Sequence, residues 1–241
     1  MRTTLDPVEA ATEKIPRQSL RCIGTFQDLH GAVDYPIGWD DASRDTDWVE
    51  VFLQQLGITK GDFVSVVSTG HEAPWYAPVL DAVNRLQATI CPLEPARFEV
   101  GRALMFFKRF PVSVVIGLDV ELASALEASG GIGNILTKIR TIVGRPDATS
   151  LLKDLESNRG FIVPVGPALA LACLSGPFVH LNEEEWDIEA SESGITLAAR
   201  RSRALGAQPI RLPGALRVVS RQCACSHGRR SFQLTAARAG G

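Results

Sequence analysis

Along the middle of the chain, apolar positions switch between a helical and a strand period. Trp48, Val51, Phe52 and Leu56 share a helical spacing, and Gly57 stands where a left-handed cap would end that helix. Asp45, Thr46 or Asp47 can cap its start. Lys60-Gly61-Asp62 is a turn signal. Phe63–Val67 is short, β-branched and mostly apolar, as a strand covered on both faces should be. Ser68-Thr69-Gly70-His71 is small and polar and forms the loop at that strand's carboxyl end. Trp75, Val79, Ala82 and Leu86 predict a second helix, opening at Pro74 or Pro78, because proline is tolerated in a first turn. Residues 88–93 form the next strand. A strand, helix and strand joined this way predict a right-handed βαβ unit with a parallel sheet.

The pattern continues with a helical stripe of Val100, Ala103, Leu104 and Phe107, ended by Pro111, and a strand over 112–117. Val120–Ala128 predicts another helix, and Gly130-Gly131-Ile132-Gly133 breaks it. A short strand over 141–143, a helix over 150–158 and an apolar run over 161–165 follow. From Pro167 onward glycine and proline punctuate short segments. Residues 186–190, 195–200, 216–220 and 232–235 predict strands of a β-rich unit. Before residue 48 the pattern is weak. Residues 1–19 are polar, and 20–47 have few periodic apolar positions around Phe26, Tyr35 and Trp39. The expected fold is therefore α/β: a parallel sheet with helices on both faces, followed by a smaller β-rich unit. The expected division is an irregular lead-in over 1–47, an α/β subdomain over 48–166 and a β-rich subdomain over 167–241.

Composition narrows the functional classes. With 241 residues, 45% hydrophobic and 22% charged, the chain can bury a sizeable core. A net charge of −2 gives no footprint for nucleic acid or an anionic membrane. No apolar run reaches the length of a membrane span. MRTTLDPVEAATEK has acidic residues and no apolar core, so no signal peptide is expected. Five scattered cysteines without an export signal suggest reduced thiols and a cytoplasmic location.

The block around the βαβ unit resembles the opening of the adenylate-forming superfamily of acyl-CoA synthetases, peptide-synthetase adenylation enzymes and luciferases. The matching residues are Leu56-Gly57, Lys60-Gly61-Asp62, Val64–Val67, Arg85-Leu86-Gln87-Ala88 and Cys91-Pro92-Leu93-Glu94-Pro95. Gln87 stands where that family usually has glycine. The resemblance extends through 98–110 and 112–119, about half the chain. Near the end, Cys223-Ala224-Cys225-Ser226-His227-Gly228-Arg229 is similar to a Cys-Pro-Cys-Gly-Arg-like turn of the phenylacetate-CoA ligase-like branch, with two residues inserted.

The resemblance implies ATP and Mg²⁺ chemistry. That chemistry needs a Ser/Thr/Gly-rich phosphate loop with lysine, an acidic Mg²⁺ ligand, a ribose-binding Asp in a Thr-Gly-Asp-like turn, and a C-terminal domain carrying a catalytic lysine. No Ser-Gly-Thr-Thr-Gly-x-Pro-Lys stretch and no Thr-Gly-Asp occurs, and the chain ends before a lid domain is expected. The glycine run at 130–133 lacks a lysine and the Gly-x-Gly-x-x-Gly spacing, which favours a surface loop. The sequence thus points to a shortened, non-catalytic relative that binds a small carboxylate, an acyl group or a synthetase partner, with no cofactor. One alternative is half of a split acyl-CoA or aryl-CoA ligase that would use ATP and Mg²⁺ together with another chain. Another is an interaction protein with no ligand.

Ser68, Thr69 and His71 are the candidate ligand-binding residues, because open α/β sheets bind ligands at strand carboxyl ends. His71 is an acid/base candidate, set against a solvated loop histidine whose only nearby carboxylate in sequence is Glu72. Cys223, Cys225 and His227 have zinc-type donors but number three. A fourth would have to come from Cys173 or His180, and two ordinary thiols beside Arg221, Arg229 and Arg230 are the plainer reading. The run Arg200-Arg201-Ser202-Arg203 and the run Glu183-Glu184-Glu185 predict solvated surface.

Overall fold

The computed structural model describes residues 19–155, 158–172, 178–191, 194–213, 216–219 and 231–234. The chain opens with strands β1 (Leu20–Gln27) and β2 (Ala32–Gly38), then helix α1 (Trp39–Gln55). It continues through β3 (Phe63–Val67), α2 (Ala73–Arg85), β4 (Thr89–Leu93), α3 (Val100–Arg109), β5 (Val112–Leu118), α4 (Val120–Ala128), the short α5 (Ile132–Ile135) and β6 (Thr141–Gly144). Helix α6 (Thr149–Leu152) leads to β7 (Asn158–Val165), β8 (Ala168–Ala172) and β9 (Phe178–Leu181). Strands β10 (Trp186–Ser191), β11 (Gly194–Ala199) and β12 (Ile210–Leu212) follow, then β13 (Leu216–Val219) and β14 (Ser231–Leu234).

One nine-stranded sheet runs in the order β13-β14-β9-β8-β7-β6-β5-β3-β4. Strands β4, β3, β5, β6 and β7 are parallel, and from β7 onward neighbours are antiparallel. β10–β12 form a separate antiparallel sheet, and β1 and β2 form a two-stranded sheet among the described residues. The α/β expectation holds, with a mostly parallel sheet and an antiparallel remainder. Strand alternation divides the core. Val64, Val66, Val114 and Ile116 point to one face, where Val49, Phe52 and Leu53 of α1 and Val79 and Ala82 of α2 cover them. Val67, Cys91, Val115 and Leu118 point to the other, beneath Ala103 of α3 and Leu122 and Leu126 of α4. A third cluster joins Phe26, Tyr35 and Ile37 of the hairpin to Val165, Leu181, Trp186 and Leu197. No helix among the described residues is long and apolar enough to cross a membrane.

Three local expectations are corrected. Residues 20–47 are not irregular after residue 19: β1 and β2 form a hairpin whose turn is closed by Asp28 Oδ1, which accepts from the His30 and Gly31 amides at 2.6 and 2.9 Å. The alternation is hidden by Gly24, whose missing Cβ leaves room for the Tyr35 ring; a Cβ there would lie 2.5 Å from Tyr35 Cε1. Helix α1 starts at Trp39, not near residue 48, because Asp41 Oδ2 accepts the Gly38 amide at 3.0 Å and caps the earlier turn. The predicted caps Asp45, Thr46 and Asp47 lie inside it. The helix expected over 150–158 is only Thr149–Leu152, since Arg159 donates to the Leu152 carbonyl at 3.0 Å and Asn158 already pairs with Thr141 in the sheet.

Candidate functional site

The strand order sets where a ligand would enter. β3 leads to β4 on one side, while β5 leads to β6 and β7 on the other. The topological switch point is therefore at the carboxyl ends of β3 and β5, the crevice in which open α/β sheets bind ligands. The predicted residues Ser68, Thr69 and His71 follow β3 here. Ser68 and Thr69 are half-buried and His71 is exposed. The His71 ring nitrogen Nε2 lies 3.2 Å from Thr69 Oγ1. The Thr69 amide and hydroxyl both donate to Glu72 Oε2, at 2.9 and 3.1 Å, so the loop is organised around Glu72.

Arg145, the residue after β6, fills the crevice. Its Nε donates to the Gly117 carbonyl at 3.0 Å and its Nη2 to the Val67 carbonyl at 3.2 Å, so one guanidinium bridges the ends of β5 and β3. The same group makes a two-pronged pair with Glu72, Nη1 to Oε1 at 2.5 Å and Nη2 to Oε2 at 2.9 Å. Its Cζ sits 5.4 Å from the centre of the Tyr76 ring. Gly117 leaves room for β3 and the Tyr76 ring: its φ is +85°, and a Cβ would fall 2.4 Å from the Val67 carbonyl oxygen and 2.7 Å from Tyr76 Oη. Burial pushes the Glu72 carboxyl up, but the Arg145 and Thr69 hydrogen bonds outweigh it and hold it below the ordinary range. Burial also acts against the Arg145 cation, and Glu72 reverses that effect. Asp119 caps α4 through the Glu121 and Leu122 amides, each at 3.2 Å, and burial pushes its carboxyl up. Arg145 thus enters this crevice already neutralised and hydrogen-bonded. A phosphate site would need cationic or N–H donors left to face the ligand.

A second charged cluster lies between α1 and the β10–β12 sheet. Arg203 donates to Asp45 from Nη1 and Nη2 at 3.1 and 2.5 Å, and to Glu185 Oε2 at 2.8 Å. Arg44 donates to Glu185 Oε1 and to Asp41 Oδ1, both at 2.8 Å. Asp41 Oδ2 also accepts the Ala204 amide at 2.9 Å. The Arg203 side chain is 5% exposed and that of Glu185 1%. Two members of the predicted solvated runs are therefore buried, because the antiparallel turn brings them onto acidic α1. Their neighbours match the surface expectation: Arg200 pairs with Asp187 and Arg201 with Glu184 in exposed ion pairs. Burial raises the Asp45 carboxyl against the opposing pull of Arg203. Beside Asp45 open two small recesses, of about 10 and 20 Å³.

Sequence reasoning missed Arg145 and the Arg203 cluster. Arg145 had a weak signal, an arginine directly after a buried strand, but its partners are 73 and 78 residues away in the chain. Cys173, Cys223, Cys225 and His227 lie outside the described residues. His180 is buried in β9, 1% exposed. Among the described residues no group of three His, Cys, Asp or Glu side chains could hold a metal ion.

No protein-family model matches this sequence, and no curated protein does. Solved structures do match. A 2-hydroxyisobutyryl-CoA ligase in the postadenylation state superposes with a TM-score of 0.68 at 13% identity, covering 91% of this chain and 51% of that one. A malonyl-CoA ligase ternary product complex gives 0.56 at 10% identity, over 90% of this chain and 52% of that one. An anthranilate CoA ligase in complex with anthranoyl-AMP gives 0.53 at 12% identity, over 79% and 40%. The chain spans about half the length of these structures or less. Its parallel sheet with covering helices and antiparallel remainder is the fold of adenylate-forming CoA ligases.

Proposed function

We propose that this chain is a non-catalytic protein of ligase-like fold, acting as a binding or accessory protein for a small carboxylate, an acyl group or a synthetase partner. The observation that carries the non-catalytic part of this reading is the Arg145–Glu72 pair. The cation at the switch point is matched by an internal carboxylate and anchored to two strand-end carbonyls, so the crevice offers no excess positive charge to a nucleotide. The absence of a phosphate-loop lysine motif from the sequence supports it, since adenylation depends on charge stabilisation of the reacting phosphate. Fold alone would not, because one fold hosts many activities.

The test is carboxylate-dependent ATP–pyrophosphate exchange with Mg²⁺ across aliphatic and aromatic acids. No exchange above background is expected from this chain. Robust exchange that requires both the acid and Mg²⁺ would sink the proposal. A second reading is half of a split acyl-CoA or aryl-CoA ligase, supported by the likeness of the described fold to CoA ligases. Exchange that appears only on adding a chain bearing the phosphate-loop motif would select it.

A further inference from the structure

Tyr35 is the second residue along β2 to point into the third core cluster, with 2% of its surface exposed. Its ring packs edge-on against Phe26, with centroids 5.3 Å apart, and against the backbone of Gly24. The hydroxyl at its tip has no hydrogen-bonding partner among the described residues. A buried hydroxyl of this kind costs stability unless something meets it. Burial, with the Asp45 carboxylate nearby, pushes the phenol above its ordinary range, so it stays protonated and can donate.

Tyr35 lines a recess of about 10 Å³ whose other walls include Asp41, Asp45, Arg203, Pro74 and Trp186. Size decides what the recess can hold. Sites for organic ligands run from about 300 to 1,000 Å³. A single water needs about 10–15 Å³ and two to four polar partners. The recess matches a single water in volume, and Tyr35, Asp41 and Asp45 are among the residues that line it. Each Asp45 oxygen accepts one bond from Arg203, which leaves a carboxylate with further lone pairs to offer.

We infer that this recess is a built water site, in which one buried water accepts from Tyr35 Oη and donates to the carboxylate cluster of Asp45 and Asp41. The bridge ties the β1–β2 hairpin to α1 and, through Arg203, to the loop before β12. Among the described residues the hairpin also meets that cluster through the capping bond from Gly38 to Asp41.

The experiment has two arms. A high-resolution crystal structure of the whole chain should show a water within about 3 Å of Tyr35 Oη and of Asp41 or Asp45. Tyr35→Phe should then lower the melting temperature by about 2–4 °C, because the water loses a partner. An empty recess predicts the opposite sign, since phenylalanine removes a buried hydroxyl that nothing satisfies. A wild-type structure without that water, Oη bonded directly to a protein carboxylate, or a Tyr35→Phe protein that melts at or above the wild type each overturns the inference. If the variant does not fold, the wild-type density alone decides.

Discussion

Two helix ends show how one residue choice is read by the backbone. α1 ends with Gly57 amide to Gln54 carbonyl at 2.9 Å and Ile58 amide to Leu53 carbonyl at 3.1 Å. α2 ends the same way, with Gln87 to Asn84 at 3.0 Å and Ala88 to Val83 at 3.1 Å. Both are Schellman caps, which place one residue in the left-handed region. At the first it is Gly57, φ +76°, and at the second Gln87, φ +57°. A side chain in that region costs about 1–2 kcal/mol, partly offset by the greater freedom of glycine in the unfolded chain. Gln87→Gly should therefore stabilise the protein by about 0.5–1 kcal/mol, seen as a raised urea midpoint at constant slope. A lowered midpoint would mean that the Gln87 side chain has a packing role that outweighs its backbone strain. Glu72 carries a prediction in pH. Its carboxyl lies below its ordinary range when folded, so its contribution is complete at neutral pH and is lost as pH falls through the folded value. The raised Asp45 and Asp119 act with the opposite sign, weakening stability as pH rises through the carboxylate range. Glu72→Gln should cost about 2–3 kcal/mol at pH 7, and the gap from wild type should shrink as pH falls below the ordinary carboxylate range. A gap that stays constant in urea melts between neutral and acid pH would exclude the charge as its source.

At the scale of elements, charge decides what hydrophobic pattern does not. The first two turns of α1 carry no apolar stripe, yet Ala42 is its buried residue against the third cluster, and Asp41 and Asp45 meet Arg44 and Arg203 there. Arg203 also lies over Trp186, with Cζ 4.6 Å from the ring centre. Removing one partner of a buried ion cluster leaves the others without compensation and costs about 3–5 kcal/mol. Arg203→Ala is expected to fall in that range, whereas Arg200→Ala, 44% exposed in its side chain and paired with exposed Asp187, should stay within about 0.5 kcal/mol. Urea midpoints of the two variants make the comparison. Equal, small shifts would show that the cluster does not hold the β10–β12 sheet to α1. Limited proteolysis gives an independent reading, since a released sheet should be cut first between residues 200 and 209.

For the molecule as a whole, the parallel sheet is the element on which the rest is assembled, and Val66 is at its centre. It is 1% exposed, between Pro92 of β4 and Ile116 of β5 and under the helices α1 and α2. Val66→Asp should abolish the folded state, because an unpaired buried charge costs several kcal/mol, a large part of the stability of an ordinary domain. A soluble Val66→Asp protein with a cooperative urea transition would contradict the core assignment. The succession of strands and helices from β3 to β6 was legible in the sequence because apolar runs such as Phe63–Val67 and the stripe Val100, Ala103, Leu104 are local patterns with a fixed period. Gly57 marked its helix end for the same reason: the left-handed requirement belongs to one residue. The β1–β2 hairpin was not legible, since Gly24 and Pro36 are explained only by the Tyr35 ring and a two-stranded pairing across the turn. The candidate site was legible only as a place, the loop after β3. Its content depended on Arg145 meeting Glu72, Val67 and Gly117 across three crossovers, and the second cluster on Arg203 reaching Asp45 from 158 residues away. Local periodicity determined the strands and helices from β3 to β6, while the β1–β2 hairpin and the pairing of the buried charges were decided by the tertiary fold, because a partner is set by distance in space and not by spacing along the chain.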